Sequence, residues 1–386
     1  MPEFVFDEDH LAYEEAVRTL ARREFYDGYL ERATHDELPW ADLKRLARHG
    51  LLDLALPASL GGQEVDPITY GIACEQIAYA DFNLSYLIFG LCGMGELVTA
   101  LPPEIGERLA LALAAGDEVY GIALTEPRGG SDAARPSVRA EPVDGGWRLH
   151  GEKTSVTPGM AASELVVVAT TDPGAGSKAT KRFLVAADDP TITRQQFRDP
   201  GFRPLGRAGI SFDGTFVADE REFRPSSAGG RSGVAAQLAA FDFTRILLGL
   251  MVLGAARRAL DMTIEYVKER EAFGRPIAGY QGVSFTIAEL DTKLEATRWL
   301  CYRALGLRAA GLPHTREAAM CKWFAPRLAV EAINECIVLH GHVGWSVEMP
   351  LQQLLLDVSG LQIGDGTPQI QKLVIARELI GRQYVG

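Results

Sequence analysis

The hydrophobic periodicity changes twice along the chain, and this feature constrains the fold more than any other. Apolar residues recur at helical spacing from about residue 8 to 116, as in Leu43, Leu46 and Ala47. Short β-rich runs occupy about 118–228, and long amphipathic helices return from about 233 onward. At 386 residues the chain exceeds what one hydrophobic core usually fills, roughly 250–300 residues. We therefore predict three domains, at residues 1–117, 118–228 and 229–386.

The middle region predicts a small β-domain. Its strands are expected at residues 119–124, 147–150, 165–170, 183–187 and 210–217. No long helical pattern separates these runs, which favours antiparallel connections over crossover units. Residues 224–230 have the composition of a linker, and helices are expected near 233–269, 280–310, 315–339 and 368–383.

Charge, cysteine content and hydropathy exclude several classes of protein. The 39 basic residues against 51 acidic ones give a net charge of −12, which opposes binding to nucleic acid. The five cysteines show no metal-ligand spacing and indicate a reducing compartment. The acidic start does not read as a signal peptide, and no run of about 18 apolar residues predicts a membrane span. We therefore expect a soluble, cytoplasmic protein.

Three short segments combine glycine with polar groups. Residues 123–132 run from a strand end into a glycine-rich turn, which either cradles a phosphate or polar ring or is a simple β-turn. Residues 270–277 carry two arginines and a proline-fixed turn, and alone they suit an ordinary helix end. Residues 363–371 place Asp365 between glycines, with Thr367 as the expected N-cap and Pro368 opening the last helix.

Common motif-led assignments fail, since GxSxG, HExxH, the P-loop pattern and GxGxxG are absent. The three segments, in this order and on this helical, β, helical plan, resemble the acyl-CoA dehydrogenase family of flavoproteins. The family's TEPxxGSD, RxxFGxxI and [ED]GTxxIQ patterns match residues 125–132, 270–277 and 365–371. Residues 241–245 and 348–351 add support, so the likeness spans nearly the whole chain. It implies an α+β, mostly α fold: an N-terminal helical domain, a β-barrel-like middle domain and a C-terminal four-helix bundle.

The resemblance implies FAD as the cofactor, held between the β-domain, the bundle and a neighbouring subunit. Residues of the β-domain would contact the flavin and its pyrophosphate: Leu124, Thr125, Gly130, Ser131, Ser155 and Thr157. Residues of the bundle would contact the adenosine side or complete the site near the last helix: Arg270, Phe273, Gln281, Val338, His342, Thr367 and Gln369. Such sharing implies a homodimer or a homotetramer.

The resemblance also implies the chemistry, which is α,β-dehydrogenation of an acyl thioester. A base removes the α-proton while a hydride leaves the β-carbon for flavin N5, and Asp365 occupies the position of that base. A carboxylate in a dry cleft gains basicity. Arg245 would orient the base or contact the acyl-CoA, or alternatively pair with Asp242. Ser131, Asp242, Arg245 and Gly366 are expected to bind substrate, and the amide of Asp365 would polarise the thioester oxygen.

Three departures from the family pattern qualify these expectations. Asp365 is one methylene (~1.5 Å) shorter than the usual glutamate, and no acid stands at Thr244, where some relatives have one. Ser155 replaces a tryptophan that packs on the flavin, which would leave one ring face more open to oxygen. Val338 and His342 replace a glutamine and a glycine of the adenine-side loop.

The expected electron acceptor is an electron-transfer flavoprotein. The alternatives are a thioester oxidase that uses O₂, a dehydrogenase of carrier-protein-bound or alicyclic acyl groups, and a non-catalytic flavin or acyl-CoA binding protein. Other polar residues receive plainer interpretations. Glu152 and Lys153 are expected as a solvated pair on a strand edge, and His340 and His342 lack the third ligand of a metal site.

Overall fold

The structure is a computed structural model that describes residues 6–224 and 233–385. Its contacts divide the chain into two compact units. The helical unit holds the described parts of Met1–Thr34, Asp66–Phe89 and Asp242–Gly386, and the β-unit holds those of His35–Val65 and Gly90–Phe241. The boundary predicted after residue 228 and most of the predicted linker 224–230 lie outside the described residues. The three domain boundaries stay predictions.

Helices dominate both ends of the chain, and strands occupy its middle. The helices are α1 (Glu8–Glu24), α2 (Tyr29–Thr34), α3 (Trp40–Arg48), α4 (Pro67–Ala80), α5 (Phe82–Phe89), α6 (Met94–Ala100), α7 (Pro103–Ala114), α8 (Gly233–Glu269), α9 (Gln281–Ala309), α10 (Thr315–His340), α11 (His342–Trp345), α12 (Pro350–Ser359) and α13 (Pro368–Ile380). The strands are β1 (Tyr120–Ala123), β2 (Arg139–Val143), β3 (Gly146–Val156), β4 (Glu164–Thr170), β5 (Thr180–Ala186), β6 (Ile192–Gln196), β7 (Ala208–Ala218), β8 (Glu271–Ala272) and β9 (Arg275–Pro276). Strands β2, β6, β8 and β9 were not expected from the sequence, because they are short and mostly polar.

The β-unit contains one sheet in the order β1-β4-β2-β3-β7-β6, with β5 paired to β4. The pairs β2/β3, β3/β7, β4/β5 and β6/β7 are antiparallel, as the sequence predicts. The pairings of β1 and of β2 with β4 are parallel, and there the prediction is wrong. The chain between these strands makes the β2/β3 hairpin first, which supplies a connection long enough for parallel strands to align.

Strand β4 lies at the centre of the β-unit, and all seven of its residues are buried. A strand covered on both faces is apolar along its length, as Leu165–Ala169 shows. The first residues of α8 pack on this region, where Val234 joins a small core with Leu124 and Val168. The backbone N–H of Val234 donates to Thr180 Oγ1 at 3.0 Å. This contact fixes the start of the longest helix.

Close packing and one buried ion-pair network organise the helical unit. A Cβ at Gly71 of α4 would collide with Leu305 of α9 and approach Leu250 of α8. Arg298 of α9 pairs with Glu75 of α4 and with Glu14 of α1, at 2.7 Å in each case. Three helices are thereby tied together by part-buried ion pairs.

Two helical stretches are long and apolar enough, by composition alone, to cross a membrane. They are Phe82–Ala100 and Gly233–Glu269, with 56% and 67% of their most apolar windows buried inside the protein. Such burial is typical of core helices, because a membrane span needs its apolar face free for lipid.

Candidate active site

The loop between α12 and α13 presents Asp365 in an unusual backbone conformation. Asp365 has φ 54° and the following Gly366 has φ 100°, both in the left-handed region. A residue with a side chain costs about 1–3 kcal/mol there and persists only where neighbours impose the conformation. A Cβ at Gly366 would collide with the amide of Gln371. The loop geometry therefore requires glycine after the carboxylate.

Hydrogen bonds to the backbone impose this conformation. Thr367 caps α13 by accepting from the N–H of Ile370 at 3.4 Å, with Pro368 at the first helical position, as predicted. The buried side chain of Gln371 donates to the carbonyls of Asp365 and Gly366, at 3.1 and 3.3 Å. The loop is consequently anchored from the helix that follows it.

Helix α8 supplies the side chains around Asp365. Thr244 Oγ1 donates to Asp365 Oδ2 at 3.1 Å, and Arg245 Nε donates to the Asp365 carbonyl at 3.3 Å. Arg245 also pairs with Asp242 at 3.2 Å, and Thr315 Oγ1 donates to the same carboxylate at 2.6 Å. Arg245 thus pairs with Asp242 and also donates to the loop backbone, while its contact with an acyl-CoA stays a prediction.

The surroundings make Asp365 a stronger base than a free aspartate. Burial of its carboxyl group raises the pKa, and the charges of Lys322 and Arg245 with the Thr244 hydrogen bond only partly oppose that rise. Arg245, one of these cations, is itself ion-paired with Asp242 at 3.2 Å. Burial also raises the pKa of the nearby Tyr86, with the charge of Asp365 adding to the effect. A carboxylate with a raised pKa suits proton abstraction near neutral pH.

In the β-unit, the glycine-rich segment leaves β1 as an exposed turn. Thr125 accepts a bond from the N–H of Thr154 at 2.8 Å, and residues 127–132 are exposed. A Cβ at Gly130 would press on the Thr125 methyl at 3.3 Å. The hydroxyls of Thr125 and Ser131 and the backbone of this turn are the kind of donors that pyrophosphate oxygens accept from. The donor set of this turn fits FAD.

Beneath that turn lies a buried ion pair that the sequence did not predict. Lys153 Nζ donates to Glu126 Oε1 at 2.7 Å and to the carbonyl of Leu124 at 3.0 Å. Glu126 further accepts from the N–H groups of Ser137 at 2.7 Å and Val138 at 3.0 Å, and from the Ser137 hydroxyl. These bonds fix the strand end that carries the turn.

The expected solvated pair of Glu152 and Lys153 is therefore wrong. Side chains alternate along β3, so Glu152 is exposed while Lys153 is fully buried. Burial lowers the pKa of Lys153 to about 8 despite its partner. Burial alone would raise the pKa of Glu126, but the Lys153 charge and the hydrogen bonds hold it below its usual value.

Ser155 also has a left-handed backbone, with φ 59°, and it is exposed. Its hydroxyl accepts from Arg207 at 3.0 Å. Arg207 is fixed by a bidentate pair with Asp199 and lies 4.5 Å over the ring of Phe197. A small hydroxyl and an arginine thus occupy the region where the family pattern has a tryptophan. Thr157 follows close by and is half-buried.

A hairpin of β8 and β9 presents Phe273 at its tip. Phe273 (φ 52°) and Gly274 (φ 80°) form the turn, a pattern typical of two-residue hairpins. The Phe273 side chain is 96% exposed in this single chain. The other residues expected on the adenosine side are exposed as well: Arg270, Gln281, Val338 and His342. Exposed apolar side chains such as Phe273 and Val338 are typical of interaction surfaces.

The structure groups the predicted site residues unevenly. Asp365, Arg245, Asp242 and Gly366 lie together in the helical unit, whereas Gln369 is exposed on the first turn of α13. The adenosine-side residues do not join that cluster. In the described part of the chain, no group of three metal-ligating side chains is found. Sequence reasoning missed the contributions of Lys322, Lys153 and Arg207, which are cations that act through tertiary contacts.

Three family profiles cover the chain in order. They are the acyl-CoA dehydrogenase N-terminal domain at residues 7–117, the middle domain at 121–215 and the C-terminal domain at 231–380. An acyl-CoA dehydrogenase of Bacillus subtilis is 31% identical over 369 residues, which cover 95% of this chain and 96% of the relative. The chain belongs to the acyl-CoA dehydrogenase family.

Other comparisons agree with this assignment. The benzylmalonyl-CoA dehydrogenase of Aromatoleum aromaticum is 33% identical over 344 residues, 88% of this chain and 90% of the relative. The solved FAD complex of PigA superposes with a TM-score of 0.90 at 25% identity, covering 98% of this chain and all of that one. The expected family, its three-part fold, the flavin-dependent oxidoreductase class and FAD as cofactor are confirmed.

Proposed function

We propose that Asp365 is the base that removes the α-proton of an acyl-CoA thioester. One observation carries this assignment: among the described residues, the partly buried carboxyl group of Asp365 accepts a hydrogen bond from Thr244 and is found in no ion pair, while burial raises its pKa. A base of this kind needs a pKa close to the working pH, and desolvation moves the carboxyl in that direction.

The other residues of the cluster position this base. Thr244 fixes one carboxylate oxygen, and Arg245 fixes the backbone while Asp242 and Thr315 fix Arg245. The backbone N–H of Asp365 makes no hydrogen bond to any residue that the structure describes. It can therefore donate to the thioester oxygen and stabilise the negative charge that develops there. FAD, when bound, accepts the hydride that leaves the β-carbon.

The cofactor contacts follow from the same proposal. Hydroxyls and backbone groups of the β-unit bind the flavin and its pyrophosphate: Leu124, Thr125, Gly130, Ser131, Ser155 and Thr157. In the helical unit, Thr367 and Gln369 lie at the N-terminus of α13, where helix amides favour an anionic group.

Assembly, electron acceptor and compartment extend the proposal. The exposed Phe273 and Val338 support a homodimer or homotetramer in which they contact a second copy. Arg270, Gln281 and His342 then contact the FAD of that copy. An electron-transfer flavoprotein is the proposed acceptor. The cysteines of the described chain are all free, which supports a cytoplasmic location.

The substrate class is an acyl-CoA with a branch or ring next to the thioester. The support is the short reach of Asp365, together with the relative named for benzylmalonyl-CoA, a thioester substituted on its α-carbon. The test is the visible spectrum of purified protein, repeated anaerobically with straight, branched and cyclic acyl-CoA thioesters. We expect bleaching of the flavin band by a branched or cyclic thioester. A protein that cannot be loaded with FAD, or bleaching by straight chains alone, would contradict the proposal.

A thioester oxidase is the second candidate, because Ser155 stands where the family has a shielding tryptophan. Its hydroxyl is exposed and bonded to Arg207. The discriminating measurement is the rate at which air reoxidises the substrate-reduced protein. Reoxidation at the catalytic rate would select the oxidase, and slow reoxidation would select the dehydrogenase. A serine-to-tryptophan substitution, Ser155→Trp, should slow that reaction only if the open position admits oxygen.

A further inference from the structure

Lys322 is a buried cation to which neither the sequence motifs nor the proposed chemistry assigns a role. It lies in α10, is 1% exposed, and its ammonium group contacts backbone rather than a carboxylate. Lys322 Nζ donates to the carbonyl of Leu361 at 2.7 Å and to the carbonyl of Gly366 at 3.3 Å. Those two carbonyls belong to the two ends of the loop that carries Asp365.

Helix α10 is placed to hold this loop rigidly. It packs against α12, the short helical turn Gly360–Gln362 and α13, the elements on either side of Asp365. One turn after Lys322 lies Pro326, which has no N–H to donate to the Lys322 carbonyl. A buried lysine is costly unless its charge is compensated, and here the two loop carbonyls and the Asp365 charge provide that compensation.

Resting on the proposed role of Asp365 as the base, we propose that Lys322 is the positioning residue of that base. It joins both ends of loop 361–366 through their carbonyls and holds Asp365 in its left-handed conformation. Its charge faces the Asp365 carboxylate without a direct ion pair, and Arg245 is the other cation that influences both groups. Lys322 therefore favours ionisation of the base without neutralising it.

Electrostatics supports this geometry. Burial lowers the pKa of Lys322 to about 8, while the charge of Asp365 raises it and that of Arg245 lowers it. Removal of the Lys322 charge should consequently raise the pKa of Asp365 further, because desolvation would be opposed only by Arg245 and Thr244. Burial and the Asp365 charge both raise the pKa of the nearby Tyr86, so it stays neutral in this range.

The test uses the FAD-loaded, full-length protein and the variant Lys322→Met, with Lys293→Met as the surface control. Lys293 is an exposed residue of α9 that pairs with Glu331, and neither residue belongs to loop 361–366. Amide hydrogen exchange of peptides spanning 360–367 reports the loop, and the rest of α10 reports the global fold. We expect at least tenfold faster exchange in the loop of K322M, with little change in the control.

A second readout locates the Asp365 titration without any substrate. The difference in thermal stability between each background and its Asp365→Asn derivative changes with pH between the unfolded-state and folded-state pKa values of Asp365, so the midpoint of that change moves with the folded-state pKa. We expect this midpoint at higher pH in K322M than in wild type or K293M. With a thioester that bleaches the flavin, the acidic limb of kcat/KM should move the same way.

The outcomes are separable. Unchanged loop exchange, or uniformly faster exchange with an unmoved Asp365 midpoint, overturns the proposal and makes Lys322 a core residue only. If no thioester reduces the flavin while both substrate-free readouts change, Lys322 is confirmed as a positioning residue and the proposed function fails. Should K322M not fold, Lys322→Gln serves in both measurements, since its amide can donate to a carbonyl but carries no charge.

Discussion

The two units of the protein each bury a lysine near a carboxylate, and the two pairs behave differently. In the β-unit, Lys153 touches Glu126 at 2.7 Å, and three further hydrogen bonds reach the same carboxylate. In the helical unit, among the residues that the structure describes, Lys322 donates to two backbone carbonyls and Asp365 receives one side-chain hydrogen bond. The pKa of Glu126 lies below its usual value, whereas that of Asp365 lies above it.

The difference teaches how one fold separates a structural acid from a reactive one. Direct pairing and full hydrogen bonding hold Glu126 ionised and fix the strand end beneath the glycine-rich turn. Placing the cation on the loop backbone instead leaves Asp365 oriented yet basic. If the proposed roles hold, each unit uses a buried lysine to position the segment that carries its part of the chemistry.

The largest effect is expected from removing the proposed base, Asp365. Asp365→Asn keeps the size of the side chain but cannot accept a proton, so flavin reduction by the reactive thioester should fall by about 10²–10⁴-fold. Stopped-flow flavin reduction measures this directly. Asp261→Asn is the matched control, because burial also raises the pKa of Asp261. Its carboxylate accepts a hydrogen bond from Tyr79 and is not part of the loop that carries Asp365. Equal turnover of D365N and wild type would remove Asp365 as the base.

Removing the structural acid should act on stability. Glu126→Gln leaves Lys153 charged and unpaired in the core, which typically costs about 3–5 kcal/mol. Because the pKa of Lys153 is already about 8 and falls without its partner, the variant should regain part of its stability as pH rises. Denaturant unfolding at several pH values tests this. Glu152→Gln, one residue away and exposed, should change stability by less than about 0.5 kcal/mol.

Lengthening the base should have a smaller effect. Asp365→Glu restores the side chain that the family pattern favours, but it moves the carboxylate by ~1.5 Å and away from Thr244. If the substrate is placed for aspartate, kcat should fall by about 10- to 100-fold, since ~1 Å misplacements cost on that order. Steady-state kinetics with the same thioester provides the measurement. Faster turnover by D365E would indicate that the short base is not matched to the substrate.

These contrasts also show what the sequence could and could not predict. The ends of the long amphipathic helices α8, α9 and α10 were located within one residue, because their periodicity is local. The cap Thr367 and the base candidate Asp365 were found from short motifs. Lys153 and Lys322 were not, because a lysine in an apolar sequence gives no local sign of which carbonyl or carboxylate it reaches. The parallel β1/β4 pair was also not predicted, because a short apolar run gives no local sign of which strand it pairs with.

The smallest expected effect is on thermal stability, and it distinguishes Asp365 from Glu126 by the sign of the pH dependence. Asp365 has a folded-state pKa above its unfolded value, so protonation stabilises the fold, and that contribution is lost as pH rises through the folded pKa. Asp365→Asn should therefore raise the melting temperature at pH 8 by a few degrees, and the gain should vanish below about pH 4. Glu126 has the opposite sign, because its folded-state pKa lies below its unfolded-state value. Its ionised form stabilises the fold at pH values above the unfolded-state pKa, and that stability is lost as pH falls through the folded-state pKa. Melting curves of D365N and E126Q against wild type from pH 4 to 8 measure both. A melting temperature of D365N below that of wild type at pH 8 would mean that Thr244 and the neighbouring cations outweigh desolvation, and would make Asp365 a structural acid like Glu126.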